Sequence, residues 1–180
     1  MSEEKKLKYQ VVLEEFLELR EWSDELTVDP ENGTTMLDTG ITVGGQSGRL
    51  IIEARDETDV VDAFIYYQFK GKASKTEQIV LLFNGIHLRF PFGRFEMTPE
   101  GSIRWRDRVD FEGSQPSGLS IERLISPGWR VTADFAESIA AVSLTKMTAE
   151  EALDEFDAAQ EAASEDEGEG EDEGEAPTAL

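Results

Sequence analysis

Residue types that carry chemistry are scarce in this chain. There is one histidine, His87, and no cysteine, which removes thiolate nucleophiles, disulfides, Cys-based zinc sites and multi-histidine metal cages together. His87 stands between Ile86 and Leu88 with no second histidine or carboxylate at ligand spacing, so it reads as structural. The cluster Gly44 to Gly48 (GGQSG) has the composition of a phosphate loop. It lacks the following Lys-Ser/Thr pair and runs into a strand instead of a helix N-terminus, so it reads as a hairpin turn. What remains is carboxylate chemistry, with 39 Asp and Glu against 17 Lys and Arg for a net charge of −22. At that density acids lie near one another by chance, and only a pair in an apolar cleft with a raised pKa would point to a carboxylate-only hydrolase. The expectation is a protein that is not an enzyme, with no catalytic, cofactor-binding or metal-binding residue and no cofactor.

Two groupings point to binding instead. In Gly93 to Phe111, Arg94, Arg104, Arg106 and Arg108 alternate with Phe95, Ile103, Trp105 and Val109, the period of a half-buried antiparallel hairpin joined by the turn Pro99-Glu100-Gly101-Ser102. Four guanidiniums on one face need anions nearby, because like charges on adjacent strands repel. Glu96, Asp110 and acids of flanking helices could supply them, or an acidic segment of the chain itself or of a partner. The second grouping is Phe64 and Tyr66. They share a face with Val60, Asp62 and Gln68, opposite the core face of the same strand, with Ile51 comparably placed on its neighbour. Either a helix or loop covers them, or they form a dimer or partner surface. The expected partner-binding residues are therefore Phe64, Tyr66, Arg94, Arg104, Arg106 and Arg108. The expected assembly is a homodimer that also binds another protein.

The elements that must position these residues follow from periodicity. Tyr9, Val12, Phe16, Leu19 and Trp22 recur at helical steps across Glu3 to Trp22. DPENG (Asp29 to Gly33) interrupts, with a short strand expected before it at Glu25 to Val28 and a longer one after it at Thr34 to Val43. Arg49 to Arg55 places Leu50, Ile52 and Ala54 on one side, and Val60 to Phe69 places Val61, Ala63, Ile65, Tyr67 and Phe69 likewise. Ser74 to Glu77 reads as a capping box opening a helix with Ile79, Leu82, Phe83 and Ile86 inward. Gly85 costs about 1 kcal/mol in a helix interior, which puts the helix end at Asn84 to His87. After the GSQPSG loop comes a short helical segment, Ser120 to Ile125. Ser126-Pro127 then opens a further helix that runs to Leu144 along Trp129, Ala133, Ala136 and Ala140. Thr148 to Glu151 is a second capping box, leading a helix with Ala149, Ala152, Leu153, Phe156 and Ala159 on one stripe.

The chain divides into a body, residues 1–156, and an acidic tail, residues 157–180, which holds ten acids and no Lys or Arg. The tail has too little apolar content to offset the entropy of ordering and is expected to be disordered. The body keeps 29 acids against 17 bases, a balance that repels phosphate backbones and anionic lipid, so neither nucleic acid nor membrane is an expected partner. With no run of about 18 apolar residues and no basic-then-apolar start, a soluble cytoplasmic protein is expected.

The order of elements, the run Leu82-Phe83-Asn84, the Gly93-Arg94-Phe95 strand opening, the Glu100-Gly101 turn, the strand Ile103 to Asp110 and the Thr148 to Ala152 helix start resemble the YbjN family of bacterial proteins. The match covers about Leu7 to Phe156. That family is described as sensory transduction regulators, with a fold similar to the type III secretion chaperones. The order of elements gives an α+β fold, an antiparallel sheet of three or four strands plus a two-strand hairpin packed against helices, and the resemblance implies a small αββα-type domain that is dimeric and binds another protein. A chaperone-like or regulatory binding domain is the leading expectation. A structural or stress protein acting through its acidic tail is the alternative, ahead of a carboxylate-only hydrolase.

Overall fold

The computed structural model describes residues 6–168, with side chains to 163. The chain runs α1 (Lys8–Leu19), β1 (Leu26–Asp29), β2 (Thr34–Val43), β3 (Gln46–Arg55), β4 (Val60–Lys70), α2 (Thr76–Arg89), β5 (Arg94–Met97), β6 (Ser102–Asp110), α3 (Gly118–Asp134), α4 (Ala136–Leu144) and α5 (Ala149–Gly168). The fold is α+β. The expected strands and hairpin form one continuous antiparallel sheet in the order β1-β2-β3-β4-β6-β5. The last hairpin is therefore not a satellite: β6 inserts beside β4, pairing Phe64 with Arg106 and Tyr66 with Arg104.

The helices pack on the sheet face that carries Leu50, Ile52, Ala63, Ile65, Ile103 and Trp105, all wholly buried. Trp105 is the largest of these side chains, and two glycines receive it. A Cβ at Gly93 or at Gly128 of α3 would lie 2.4 Å from its ring atoms. The Tyr67 hydroxyl donates to the Thr132 carbonyl at 2.6 Å, fixing β4 against the same helix. The β2–β3 turn uses Gly44 and Gly45 at positive φ of 54° and 73°, as a two-residue hairpin turn requires.

Several expectations are corrected. The first helix turns its Tyr9, Val12, Leu13, Phe16 and Leu17 inward, while Leu19 is exposed and Trp22 lies past the helix end. Part of the expected start at Glu3 falls outside the described residues. Helix α2 begins at Thr76 after a 3₁₀ turn, Ala73–Lys75, without side-chain capping. It also passes through Gly85 to Arg89, because Leu153 of α5 fills the space where a Cβ would sit, its Cδ1 2.3 Å from that position. Pro127 lies inside α3 instead of opening a helix. Ile121, Leu124, Ile125, Gly128, Val131 and Thr132 form one unbroken inward stripe across it. Burial along that stripe outweighs the roughly 3 kcal/mol a mid-helix proline costs. The break falls later, at Phe135, whose buried ring stacks on Phe156 at 4.1 Å between centroids.

The Thr148 box forms as expected, with Thr148 N–H donating to Glu151 Oε2 at 2.8 Å and Glu151 N–H to Thr148 Oγ1 at 3.2 Å. Residues 157–168, assigned to the tail by composition, continue α5. Asp157 accepts from Arg89 Nε at 2.9 Å, which ties that helix to α2. The remainder of the expected tail, residues 169–180, lies outside the described residues.

Candidate functional site

Strand pairing sets the second face of the sheet. Because Asp62, Phe64 and Tyr66 oppose Arg108, Arg106 and Arg104, and Arg94 and Glu96 oppose Arg106 and Arg104, every expected partner-binding residue lies on this face. The sequence pattern had left the aromatics and the arginines as two separate patches. The register merges them. Among the described residues neither a helix nor a loop covers Phe64 and Tyr66; the guanidiniums do. The Arg104 guanidinium lies 4.7 Å from the Phe64 ring centroid and 5.6 Å from that of Tyr66, and Arg106 lies 5.3 Å from Phe64. Arg104 Nη1 also donates to the Tyr66 hydroxyl at 2.7 Å. Each stacked contact of this kind is worth about 0.5–2 kcal/mol, more as it is desolvated.

Asp62 organises the face, and sequence reasoning placed it there without giving it a role. Its side chain is 2 % exposed. Arg106 Nη2 donates to Oδ1 at 2.8 Å, Arg108 Nε and Nη2 to Oδ1 and Oδ2 at 3.0 and 2.7 Å, and Arg55 Nη1 to Oδ2 at 3.0 Å. Burial pushes the Asp62 pKa up. The hydrogen bonds from Arg108, Arg106 and Arg55 more than offset it, and the carboxyl is held well below its ordinary 3.8. The signal available in the sequence was an acid at an alternation position in line with two aromatics. What it lacked was the partner strand.

Glu96 is the second anion. Arg94 Nε donates to its Oε1 at 2.8 Å and Arg104 Nη2 to its Oε2 at 2.7 Å. Desolvation raises its pKa and the Arg104 and Arg94 contacts lower it, with a net fall. Asp110, expected to share this work, instead accepts from the Glu112 backbone N–H at 2.8 Å. The neutralising acids are thus Asp62 and Glu96, with Glu53 paired to Arg55. Both Asp62 and Glu96 are displaced toward the ionised form, the opposite of what a general acid at neutral pH requires.

The face ends at an open edge, β5. Alternate residues of an edge strand aim their backbone groups away from the neighbour, and Phe95 N–H points outward. His87 Nε2 of α2 accepts it at 2.7 Å, which requires a neutral ring. Burial, then the nearby Arg94, lowers the His87 pKa from 6.5 and keeps it so. Between α2 and β5 lies an open cleft of about 570 Å³ whose walls include Val80, His87, Phe95, Met97 and Arg104. Val80 on the wall of this cleft is 53 % exposed, and Leu81, Leu88 and Phe92 outside it are exposed at 50, 80 and 63 %.

No family model matches the chain, and no curated protein matches it. Among solved structures, a chain of the HopA1–SchA chaperone–effector complex is similar at a TM-score of 0.46 and 15 % identity, over 69 % of this chain and 94 % of that one. Among the described residues, no helix is long and apolar enough to cross a membrane.

Proposed function

We propose that the chain is a non-enzymatic, chaperone-like protein-binding domain, as the sequence resemblance to YbjN-type regulators implies, and that the open sheet face is its binding surface. The observation that carries this reading is the one-sided sheet. Helices bury one face, and the other presents Phe64 and Tyr66 under arginines in a protein of net charge −22. A surface of stacked aromatics and guanidiniums fits acidic segments with aromatic or aliphatic side chains. A second copy fits this face less well, since the arginines of both copies would meet.

The test is a photo-crosslinking residue at position 66, compared with one at Glu137 on the helical side, in the native cell. Protein adducts formed from position 66, and reduced when Arg104 and Arg106 are changed to Gln, would support the reading. Adducts formed equally from both positions, or from neither, would overturn it. Adducts only to a second copy, with a dimer by sedimentation, would make the face a homodimer interface instead.

A further inference from the structure

We propose that the arginine end of this face is a docking site for the chain's own acidic C-terminal segment, residues 169–180. This inference rests on the reading of the face as a binding surface, and names what competes for it.

The face carries surplus positive charge. Arg55, Arg94, Arg104, Arg106 and Arg108 share the carboxylates of Glu53, Asp62 and Glu96. The two oxygens of Asp62 serve three guanidiniums. Arg108 and Arg94 remain 52 and 59 % exposed, and Arg94 engages Glu96 through Nε, with no hydrogen bond from its terminal nitrogens to an acid among the described residues. These two side chains, with Gly93, Arg106 and Asp107, border a cleft of about 320 Å³. Its donors match carboxylate oxygens.

The chain leaves the described structure at the same end of the molecule. Helix α5 runs parallel to α2: Ala149 N–H meets Gln78 Oε1 at 2.8 Å, Leu153 packs on Gly85, and Asp157 meets Arg89. Helix α2 ends at Arg89 and the strand that begins with Arg94 follows directly. From Asp157, α5 continues to Gly168, about 16 Å further at 1.5 Å per residue. The segment beyond it, EGEDEGEAPTAL, has five acids and no basic residue. In the proposed docking these twelve residues, up to about 40 Å long when extended, pass the β5 edge to Arg94, Arg106 and Arg108. Tethering gives such a segment a local concentration in the millimolar range, so weak charge-assisted contacts suffice to occupy the site.

The chain has no cysteine, so Ala176→Cys gives a single position for a nitroxide in the full-length protein. The proposal expects amide signals of Arg94, Arg106 and Arg108 to broaden at low salt and recover at about 0.5 M salt, where the Debye length falls to a few ångströms. It expects the same recovery when the five acids are neutralised (Glu169→Gln, Glu171→Gln, Asp172→Asn, Glu173→Gln, Glu175→Gln). A synthetic peptide of residues 169–180, added to that neutralised chain, should bind about tenfold more tightly than to the natural one, because the tethered competitor is gone. Broadening confined to α5, or unchanged by neutralisation, overturns the proposal. If the peptide nonetheless binds both chains equally and shifts the arginine strands, the face takes acidic segments in trans and the binding reading stands without the tail. If the peptide binds neither, the face is no acceptor of acidic chains and both readings fall.

Discussion

The two faces of β4 and β6 are separated by one residue of strand and are held by different physics. On one, Trp105 fills the space between Gly93 and Gly128, and its position is fixed by volume. On the other, Asp62 is as deeply buried, and its position is fixed by three counter-charges. A volume constraint accepts one occupant, because a close-packed interior has no slack. A charge constraint accepts any suitable anion, and part of its strength is open to salt. The first face is therefore scaffold. The second can exchange an internal partner for an external one, which is what a binding surface needs.

The largest effect expected on this comparison comes from Trp105→Ala, which should destabilise the fold by about 3–5 kcal/mol, with little dependence on salt. Urea unfolding at low and high salt measures both. A loss under about 1 kcal/mol would mean the inner face is not held by packing.

Asp62→Asn comes next, at about 2–3 kcal/mol, below the full cost of breaking a buried pair because Arg55, Arg106 and Arg108 can turn to water. Its signature is pH. The Asp62 pKa is lowered in the folded state, so its contribution is complete above the ordinary value of 3.8 and is lost as pH falls through and below it. The stability difference between wild type and Asp62→Asn should shrink in acid, and a difference constant with pH would remove the charge argument.

Two glycines sharpen the packing side. Gly128→Ala drives a Cβ into a ring that is itself fixed on both sides, and about 1–3 kcal/mol should be lost. Gly85→Ala meets first the flexible side-chain end of Leu153 and gains about 1 kcal/mol of helix preference, so its net effect should stay within about 1 kcal/mol of zero. Equal losses in thermal unfolding would show that neighbour flexibility does not decide the cost.

The smallest effect concerns the edge of the charged face. His87→Leu leaves Phe95 N–H without its acceptor and should cost about 1 kcal/mol near neutral pH. Since the His87 pKa is lowered from 6.5, wild-type stability should decline as pH drops below that value, while the variant loses this part of the slope. Parallel pH profiles for the two proteins would show that His87 does not plug the edge.

Much of this fold was legible in alternation and turn chemistry. Leu50, Ile52, Ala54, Val61, Ala63, Ile65 and Tyr67 are inward as the period-two pattern required, and the Gly44-Gly45 turn and the Thr148 cap follow from residue type alone. Such features are decided within a few residues of chain, where backbone sterics and local hydrogen bonds leave one solution. Gly85 and Pro127 misled for the same reason: their local preferences are real, and Leu153 and the continuous stripe of α3 override them from elsewhere.

For the site, residue order along each strand already dictates which side chains share a face, because side-chain direction has period two and a one-residue slip would expose the core. It placed Phe64 and Tyr66 together, and the arginines together. Only the tertiary structure brought the two sets into one surface and put Asp62 at its centre. Strands β4 and β6 are separated in the chain by all of α2 and β5, so their register is a long-range outcome, reached in the same packing that seats Trp105 against Gly93 and Gly128. No local pattern around Asp62 records that choice.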